Sequence, residues 1–155
     1  MNWDAAVGKQ AGRIGLGAVI RNHRGEMVAA RSLTRVGLLE PAAAEALAAT
    51  MAIQLARVMG LLQIYVEGDA KVIVEAVVSQ APDWSRRGHL IEDIRSALQS
   101  FPHWTMACVK RGANQAAHMV ARLATAQVMD QTWSSDFPEC LSEMCEAEQT
   151  ALHLC

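Results

Sequence analysis

A five-residue apolar run, LQIYV at residues 62–66, most constrains the fold of this chain. An alanine-rich stretch over residues 41–59 precedes it and begins with Pro41, a residue suited to the first turn of a helix. A second helix is predicted over residues 70–79, with Asp69 as its N-cap. A short apolar strand between two helices is typical of a strand buried on both faces. The run therefore predicts a sheet that helices cover on both sides.

Two β-rich segments near the start of the chain predict an antiparallel hairpin. They span residues 14–22 and 27–34, and the turn between them contains Gly25. A further strand is predicted over residues 2–6, and because only three residues precede Asp4 we expect either a fragment or an unusually short first strand. The remaining predicted elements are a helix over 88–99, a strand over 104–109 and a closing helix over 114–128. This order, β-β-β-α-β-α-α-β-α, predicts a mixed α/β sheet.

The composition agrees with one compact, water-soluble domain. The chain has 155 residues, of which 52% are hydrophobic and 19% are charged, and its formal net charge is -2. This content is too apolar and too weakly charged for an intrinsically disordered protein. The sequence has neither a run of about 18 uncharged apolar residues nor a signal peptide, so we expect an intracellular protein of the cytoplasm or nucleus.

Charge divides the chain into two parts. All 14 Lys and Arg residues lie at or before Arg122, whereas six of the 16 acidic residues follow it. The mildly basic first part permits a nucleic-acid partner but does not require one. We therefore expect a folded domain over residues 1–128 and a peripheral acidic tail over residues 129–155.

Three carboxylates occupy positions that an apolar core disfavours. Asp4 lies at the end of the first predicted strand, Glu45 in an otherwise apolar helical stretch, and Asp69 after the apolar run. Taken singly, Glu45 is typical of a solvated helix position and Asp69 of an N-cap. Taken together, they would repel one another unless cations bind between them, and oxygen ligands favour Mg²⁺ or Mn²⁺. Two such ions are suited to the cleavage of a phosphodiester.

Five segments give the chain a resemblance to a known family. They are NWDAA (2–6), GLGAVIRNHRG (15–25), AEALA (44–48), VEGDA (66–70) and RGANQAAH (111–118). In this order and spacing, across residues 2–128, the chain resembles the ribonuclease H family, specifically the reverse-transcriptase-like domains of plant retroelement-derived proteins. The resemblance implies a ribonuclease H-like α/β fold. Its mixed sheet would have five strands, three antiparallel and then parallel ones, with helices on both faces.

The resemblance also assigns roles to individual residues. Asp4, Glu45 and Asp69 match three of the family's four metal-binding, catalytic carboxylates, which implies two Mg²⁺ or Mn²⁺ ions. The fourth position is His118, and a neutral imidazole is a poorer ligand for Mg²⁺ that leans toward Mn²⁺. His118 is then a substitute fourth ligand, a proton carrier or an ordinary residue of the helix surface.

Five residues are candidates for contact with nucleic acid. Gly15 lies in the second strand, where a glycine suits close approach of a nucleic-acid backbone or simple strand twist. Arg86 and Arg87 remain where bacterial relatives carry a basic protrusion, so we expect modest, salt-sensitive affinity for a duplex. Arg111 and Asn114 precede the closing helix and either contact a phosphate or, for Asn114, cap that helix.

Two functions follow from these observations. The first is a divalent-metal-dependent endonuclease that hydrolyses the RNA strand of RNA–DNA hybrids by a two-metal carboxylate mechanism. The alternative is a domesticated, catalytically impaired module of the same fold that binds nucleic acid or a protein partner. In either case we expect a monomer with no membrane partner, and the resemblance is compatible with a reverse-transcriptase region upstream.

Overall fold

The fold is built on a six-stranded sheet, and the computed structural model that reveals it describes residues 1–8, 12–37, 39–126 and 130–153. The strands are β1 (Asn2–Gly8), β2 (Arg13–Arg21), β3 (Met27–Val36), β4 (Gln63–Gly68), β5 (His103–Cys108) and β6 (Gln131–Trp133). The helices are α1 (Pro41–Val58), α2 (Lys71–Ser79), α3 (Gly88–Leu98), α4 (Gln115–Ala126) and α5 (Glu139–His153), with a 3₁₀ turn at Arg111–Ala113. The order of strands and helices through α4 confirms the predicted α/β fold class. None of the helices in the described part of the chain has the length and hydropathy of a membrane span.

The sheet is mixed, with the strand order β5-β4-β1-β2-β3-β6. β1, β2 and β3 pair antiparallel, whereas β1 and β4, and β4 and β5, pair in parallel. The prediction of five strands is wrong by one, because β6 pairs antiparallel with β3 at the edge of the sheet. A three-residue edge strand is too short for its alternation to be detected in the sequence.

Apolar layers pack against both faces of the sheet at β2. On one face, Leu16 and Ile20 of β2 belong to the same buried cluster as Ile53 of α1 and Ile94 of α3. On the other face, the side chain of Val19 packs with residues of α4 and α5. Since neighbouring residues of a strand point to opposite faces, β2 contributes to both layers. β2 is therefore buried on both sides. β4 is not, because Tyr65 is 58% exposed, and the prediction that residues 62–66 form a strand buried on both faces is wrong.

α4 lies very close to β2, at two glycines. A Cβ atom added to Gly15 would lie 2.0 Å from the backbone oxygen of Ala121, and one added to Gly17 would lie 2.5 Å from the backbone oxygen of Ala117. Gly15 is buried at this contact. Helix packing, rather than approach of a nucleic acid, therefore accounts for Gly15.

Replacing Gly17 by alanine is expected to lower the free energy of unfolding by about 2 kcal/mol or more, because the new methyl group would overlap the backbone of α4. Urea denaturation followed by circular dichroism measures the change. The matched control is Gly112→Ala, since a Cβ there meets no atom within 4 Å. Equal stability of the two variants would contradict this account of the β2–α4 contact.

The segment after residue 130 packs against the body of the protein. β6 pairs with residues Ala30–Ser32 of β3, and the Asp130 carboxylate accepts a hydrogen bond from the backbone N–H of Thr34 at 2.9 Å. α5 buries Leu141 completely and Cys145 and Glu148 almost completely. Residues 127–129, where the predicted closing helix ends and the predicted domain boundary falls, lie outside the described residues. The division into a domain and a peripheral tail stays a prediction.

Candidate metal centre

Asp4 and Asp69 come together through the register of two parallel strands. Asn2 of β1 pairs with Glu67 of β4. Asp4 and Asp69 each follow these partners by two residues, so they lie at the same level of the sheet. β4 stops before Asp69, whereas β1 continues to Gly8, which corrects the prediction that Asp4 ends its strand. The two carboxyl groups therefore meet at the carboxyl end of β4.

α1 contributes the third carboxylate. Glu45 lies near the start of α1, and one carboxylate oxygen from each of Asp4, Glu45 and Asp69 lies within 4.8 Å of the other two. Asp4 is 1% exposed, and the other two acids are partly buried. The interpretation of Asp69 as an N-cap is wrong, because Ala70 occupies that position of α2 and no side chain caps the helix. The structure thus brings together all three of the predicted carboxylates.

The electrostatics of the cluster are dominated by Glu45. Burial, followed by the neighbouring charges of Asp4 and Asp69, raises the pKa of Glu45 to about 9 from an ordinary value of 4.5. Its Oε2 atom is buried and has no hydrogen-bond partner among the described residues. Converging acids with an unsatisfied carboxylate oxygen suit a hard divalent cation, which accepts oxygen ligands and cancels the repulsion. The residues present therefore fit Mg²⁺ or Mn²⁺.

His118 reaches the cluster through Asp4. It lies in the first turns of α4, and its Nδ1 atom is 2.6 Å from Asp4 Oδ2, a hydrogen-bond distance. The side chain of His118 is 25% exposed, and that of Asp4 is 2% exposed. His118, which occupies the fourth predicted position, thus contacts the carboxylate of Asp4. Its assignment as a metal ligand or a proton carrier stays a prediction.

Two asparagines form hydrogen bonds next to the acids. Asn114 is 1% exposed, and its Nδ2 donates a hydrogen bond to the backbone oxygen of Trp3 at 2.9 Å and lies 3.4 Å from Asp69 Oδ1. Its Oδ1 accepts a hydrogen bond from Asn2 Nδ2 at 3.2 Å. Asn114 therefore ties β1 to Asp69 from a buried position. Asn2 is absent from the sequence-based candidates, although its spacing of two from Asp4 places both side chains on one face of β1.

The predicted basic residues lie at different distances from the acids. Arg111 is exposed, and its Nε is 3.7 Å from Asp69 Oδ2. Arg87 instead forms an ion pair with Glu40, just before α1, at 3.0 Å. Arg86 is exposed to solvent. Arg111 is thus the predicted arginine that contacts the acid cluster.

Comparison with known proteins identifies similar sequences and folds. The model of the reverse transcriptase-like family matches residues 2–124. No curated protein matches the chain. Among solved structures, RNase H1 from the halophilic archaeon Halobacterium salinarum NRC-1 is similar with a TM-score of 0.73 and 24% identity, over 81% of this chain and 95% of that one.

Two further solved structures are similar at lower identity. An N-terminal RNase H domain from Mycobacterium tuberculosis has a TM-score of 0.72 and 20% identity, over 80% of this chain and 90% of that one. LC11-RNase H1 in complex with an RNA/DNA hybrid has a TM-score of 0.70 and 18% identity, over 79% and 93%. At such identities the similarity shows that the folds are shared.

Proposed function

The chain belongs to the reverse transcriptase-like family and has the ribonuclease H fold, and we propose that it is a divalent-metal-dependent endonuclease that hydrolyses the RNA strand of RNA–DNA hybrids. The observation that carries the proposal is the meeting of Asp4, Glu45 and Asp69 within 4.8 Å at the end of β4. The similar fold of LC11-RNase H1, whose structure contains an RNA/DNA hybrid, supports the substrate class.

The three acids would hold the metal, and the proposal includes two ions. Carboxylate oxygens are hard ligands, which favours Mg²⁺, while the imidazole of His118 in the fourth position favours Mn²⁺. When bound, divalent ions supply an activated water and neutralise charge on the scissile phosphate. The pKa of Glu45 lies above neutrality without metal, so binding of metal requires loss of the Glu45 proton.

The surrounding residues position the acids and contact the substrate. His118 fixes the orientation of the Asp4 carboxylate, and Asn114 fixes Asp69 relative to β1. Arg111 is 68% exposed beside Asp69, where its guanidinium can bind a phosphate of the substrate strand. Arg86 is a second exposed cation for the phosphate backbone. These contacts bind the phosphate backbone without reading its sequence. An enzyme of this kind recognises the A-form-like shape and the 2′-hydroxyls of a hybrid.

A catalytically impaired binding module is the second candidate. The observation that favours it is the short contact between His118 and Asp4, because an imidazole at the fourth position engages an oxygen that a metal ion would need. In this case the protein would keep the fold and the exposed arginines but would not hydrolyse RNA. The two candidates differ in whether RNA is cleaved once it is bound.

Cleavage of a labelled RNA–DNA hybrid separates the two candidates. The purified protein is incubated with the hybrid in Mg²⁺, in Mn²⁺ and in EDTA, with duplex DNA and duplex RNA as substrate controls. The nuclease proposal expects metal-dependent cleavage within the RNA strand of the hybrid alone. Binding of the hybrid without cleavage in either metal would favour the module, and cleavage in EDTA would contradict a metal mechanism.

Replacing His118 by aspartate is expected to raise the ratio of Mg²⁺-dependent to Mn²⁺-dependent kcat/KM by about tenfold, since a carboxylate is the harder ligand. The neutral variant His118→Asn serves as the control, because it removes the imidazole without adding a charge. Steady-state cleavage of the hybrid in each metal gives the ratio. A ratio equal to that of the wild type in the aspartate variant would exclude His118 from the metal environment.

A further inference from the structure

α5 carries a buried acid that contacts the start of α4. Glu148 is 6% exposed, and its Oε1 accepts a hydrogen bond from the backbone N–H of Ala116 at 3.0 Å. Ala116 is the second residue of α4, so its N–H is one of the first four of the helix, which have no acceptor within the helix. Glu148 lies outside residues 2–124, the part of the chain that the family model matches.

The second oxygen of Glu148 begins a polar network that ends at the metal-binding acids. Glu148 Oε2 forms an ion pair with Arg21 Nη2, and the side chains of the two residues are 6% and 16% exposed. Arg21 Nη1 in turn donates a hydrogen bond to Asn2 Oδ1 at 3.3 Å. Asn2 donates to Asn114, which contacts Asp69. One carboxylate of α5 thus connects β2 and β1 with the turn that precedes α4.

The start of α4 carries two residues of the candidate metal centre. Asn114 immediately precedes the helix, and its backbone oxygen accepts a hydrogen bond from the N–H of His118 at 3.0 Å. Ala116, which Glu148 holds, lies midway between them. Fraying of this turn would therefore displace the side chains that contact Asp4 and Asp69.

We propose that Glu148 is a positioning residue of the metal centre, which fixes the first turn of α4, and with it Asn114 and His118, from a helix outside the matched family region. A carboxylate suits this position because it is an acceptor at the amino end of a helix and the counter-charge of a nearly buried arginine. The inference rests on the proposed function only in that the acids bind a divalent ion. On this proposal α5 helps to hold the metal centre in place.

The affinity for Mn²⁺ tests this role directly. Glu148→Ala is expected to raise the Kd for Mn²⁺ about tenfold or more. Hydrogen-bond partners of metal ligands commonly change the affinity by 10–100-fold, and Glu148 fixes two such partners, Asn114 and His118. The matched control is Glu146→Ala, an exposed acid of the same helix. Isothermal titration calorimetry gives both values on the folded proteins. A merely structural role would lower the melting temperature and leave the Kd of Glu148→Ala within about twofold of the control, which would overturn the proposal.

Backbone amide exchange gives a readout that does not depend on metal or on activity. By NMR, the N–H groups of Ala116 and His118 are expected to exchange at least tenfold faster in Glu148→Ala than in Glu146→Ala. Unchanged exchange at both positions would overturn the proposal even if affinity fell. A wild-type protein that neither binds Mn²⁺ nor cleaves a hybrid would instead contradict the proposed function, whatever the exchange rates.

A second variant covers the case in which Glu148→Ala does not fold. Glu148→Gln keeps the volume and an acceptor for the Ala116 N–H but removes the charge that pairs with Arg21. Its Kd for Mn²⁺ is expected to lie at least about threefold above that of Glu146→Gln, while Ala116 exchanges at close to the wild-type rate. Equal Kd values for the two glutamine variants would overturn the proposal.

Discussion

Replacing Asp69 by asparagine is expected to reduce kcat/KM for metal-dependent cleavage of an RNA–DNA hybrid by about a thousandfold or more, which corresponds to roughly 4 kcal/mol of transition-state stabilisation. The amide keeps the size of the side chain and its capacity to accept a hydrogen bond from Asn114 Nδ2. It removes a charge from a cluster whose members lie within 4.8 Å of one another. We therefore expect Asp69→Asn to lower kcat/KM by weakening metal binding and to leave the folded structure intact.

The control for this variant is Asp93→Asn, which makes the same change at an exposed position of α3. We expect it to cleave at the wild-type rate, and circular dichroism spectra of both variants to match that of the wild type. Cleavage by Asp69→Asn at more than about a tenth of the wild-type rate would exclude the carboxylate mechanism.

Replacing Glu45 by glutamine is expected to stabilise the metal-free protein at pH 8, by about 2 kcal/mol or more, and to abolish cleavage. The gain arises because burial and the neighbouring acids raise the pKa of Glu45 to about 9. Ionisation of Glu45 at pH 8 therefore costs free energy in the folded state but not in the unfolded chain. An amide removes this conflict. A residue that lowers the stability of the metal-free fold is thus required for metal binding, as expected of a functional site.

The raised pKa of Glu45 determines the direction in which the free energy of unfolding changes with pH. Between about pH 4.5 and pH 9 the folded state binds one proton more than the unfolded state, at Glu45. The free energy of unfolding contributed by this group therefore falls as pH rises through that window, by up to about 1.4 kcal/mol per pH unit. Urea unfolding of the wild type and of Glu45→Gln in EDTA, at intervals from pH 5 to pH 9, measures the slope. The two curves are expected to converge toward pH 5.

Mn²⁺ is expected to remove most of the stability advantage that Glu45→Gln has over the wild type without metal. A ligand at 100 times its Kd adds about 2.7 kcal/mol to the stability of the wild type, whereas Glu45→Gln gains much less. Glu75→Gln, at a 65% exposed position of α2, should change stability by less than about 0.5 kcal/mol in either condition. Lower stability of Glu45→Gln than of the wild type at pH 8 without metal would refute the electrostatic account.

The sequence predicts the fold class and the three acids because each has a local signal. The order of strands and helices predicts a mixed α/β sheet, which the structure confirms, whereas the predicted burial of residues 62–66 on both faces is wrong because Tyr65 is exposed. Glu45 is conspicuous in an alanine-rich helix, and Asp69 directly follows the apolar run. The pairing of Asn2 with Glu67, which brings Asp4 level with Asp69, is a matter of register and is not encoded in either segment alone.

What the sequence does not predict depends on contacts between distant residues. β6 is too short to show alternation, and its pairing with β3 is visible only in three dimensions. Gly15 is compatible with several interpretations until α4 is seen to lie against it. Glu148 and Ala116 are 32 residues apart, and in the sequence Glu148 is one of several acids in the last part of the chain. Such contacts fix the network around Asn114, which local patterns do not reveal.

The central claim is that Asp4, Glu45 and Asp69 bind a divalent ion together, and a crystal structure of the protein with Mn²⁺ tests it most directly. The account predicts an anomalous difference peak with oxygens of all three carboxylates at about 2.0–2.4 Å. Crystals that hold Mn²⁺ elsewhere, or that show the three carboxyl groups turned apart with no ion between them, would contradict it.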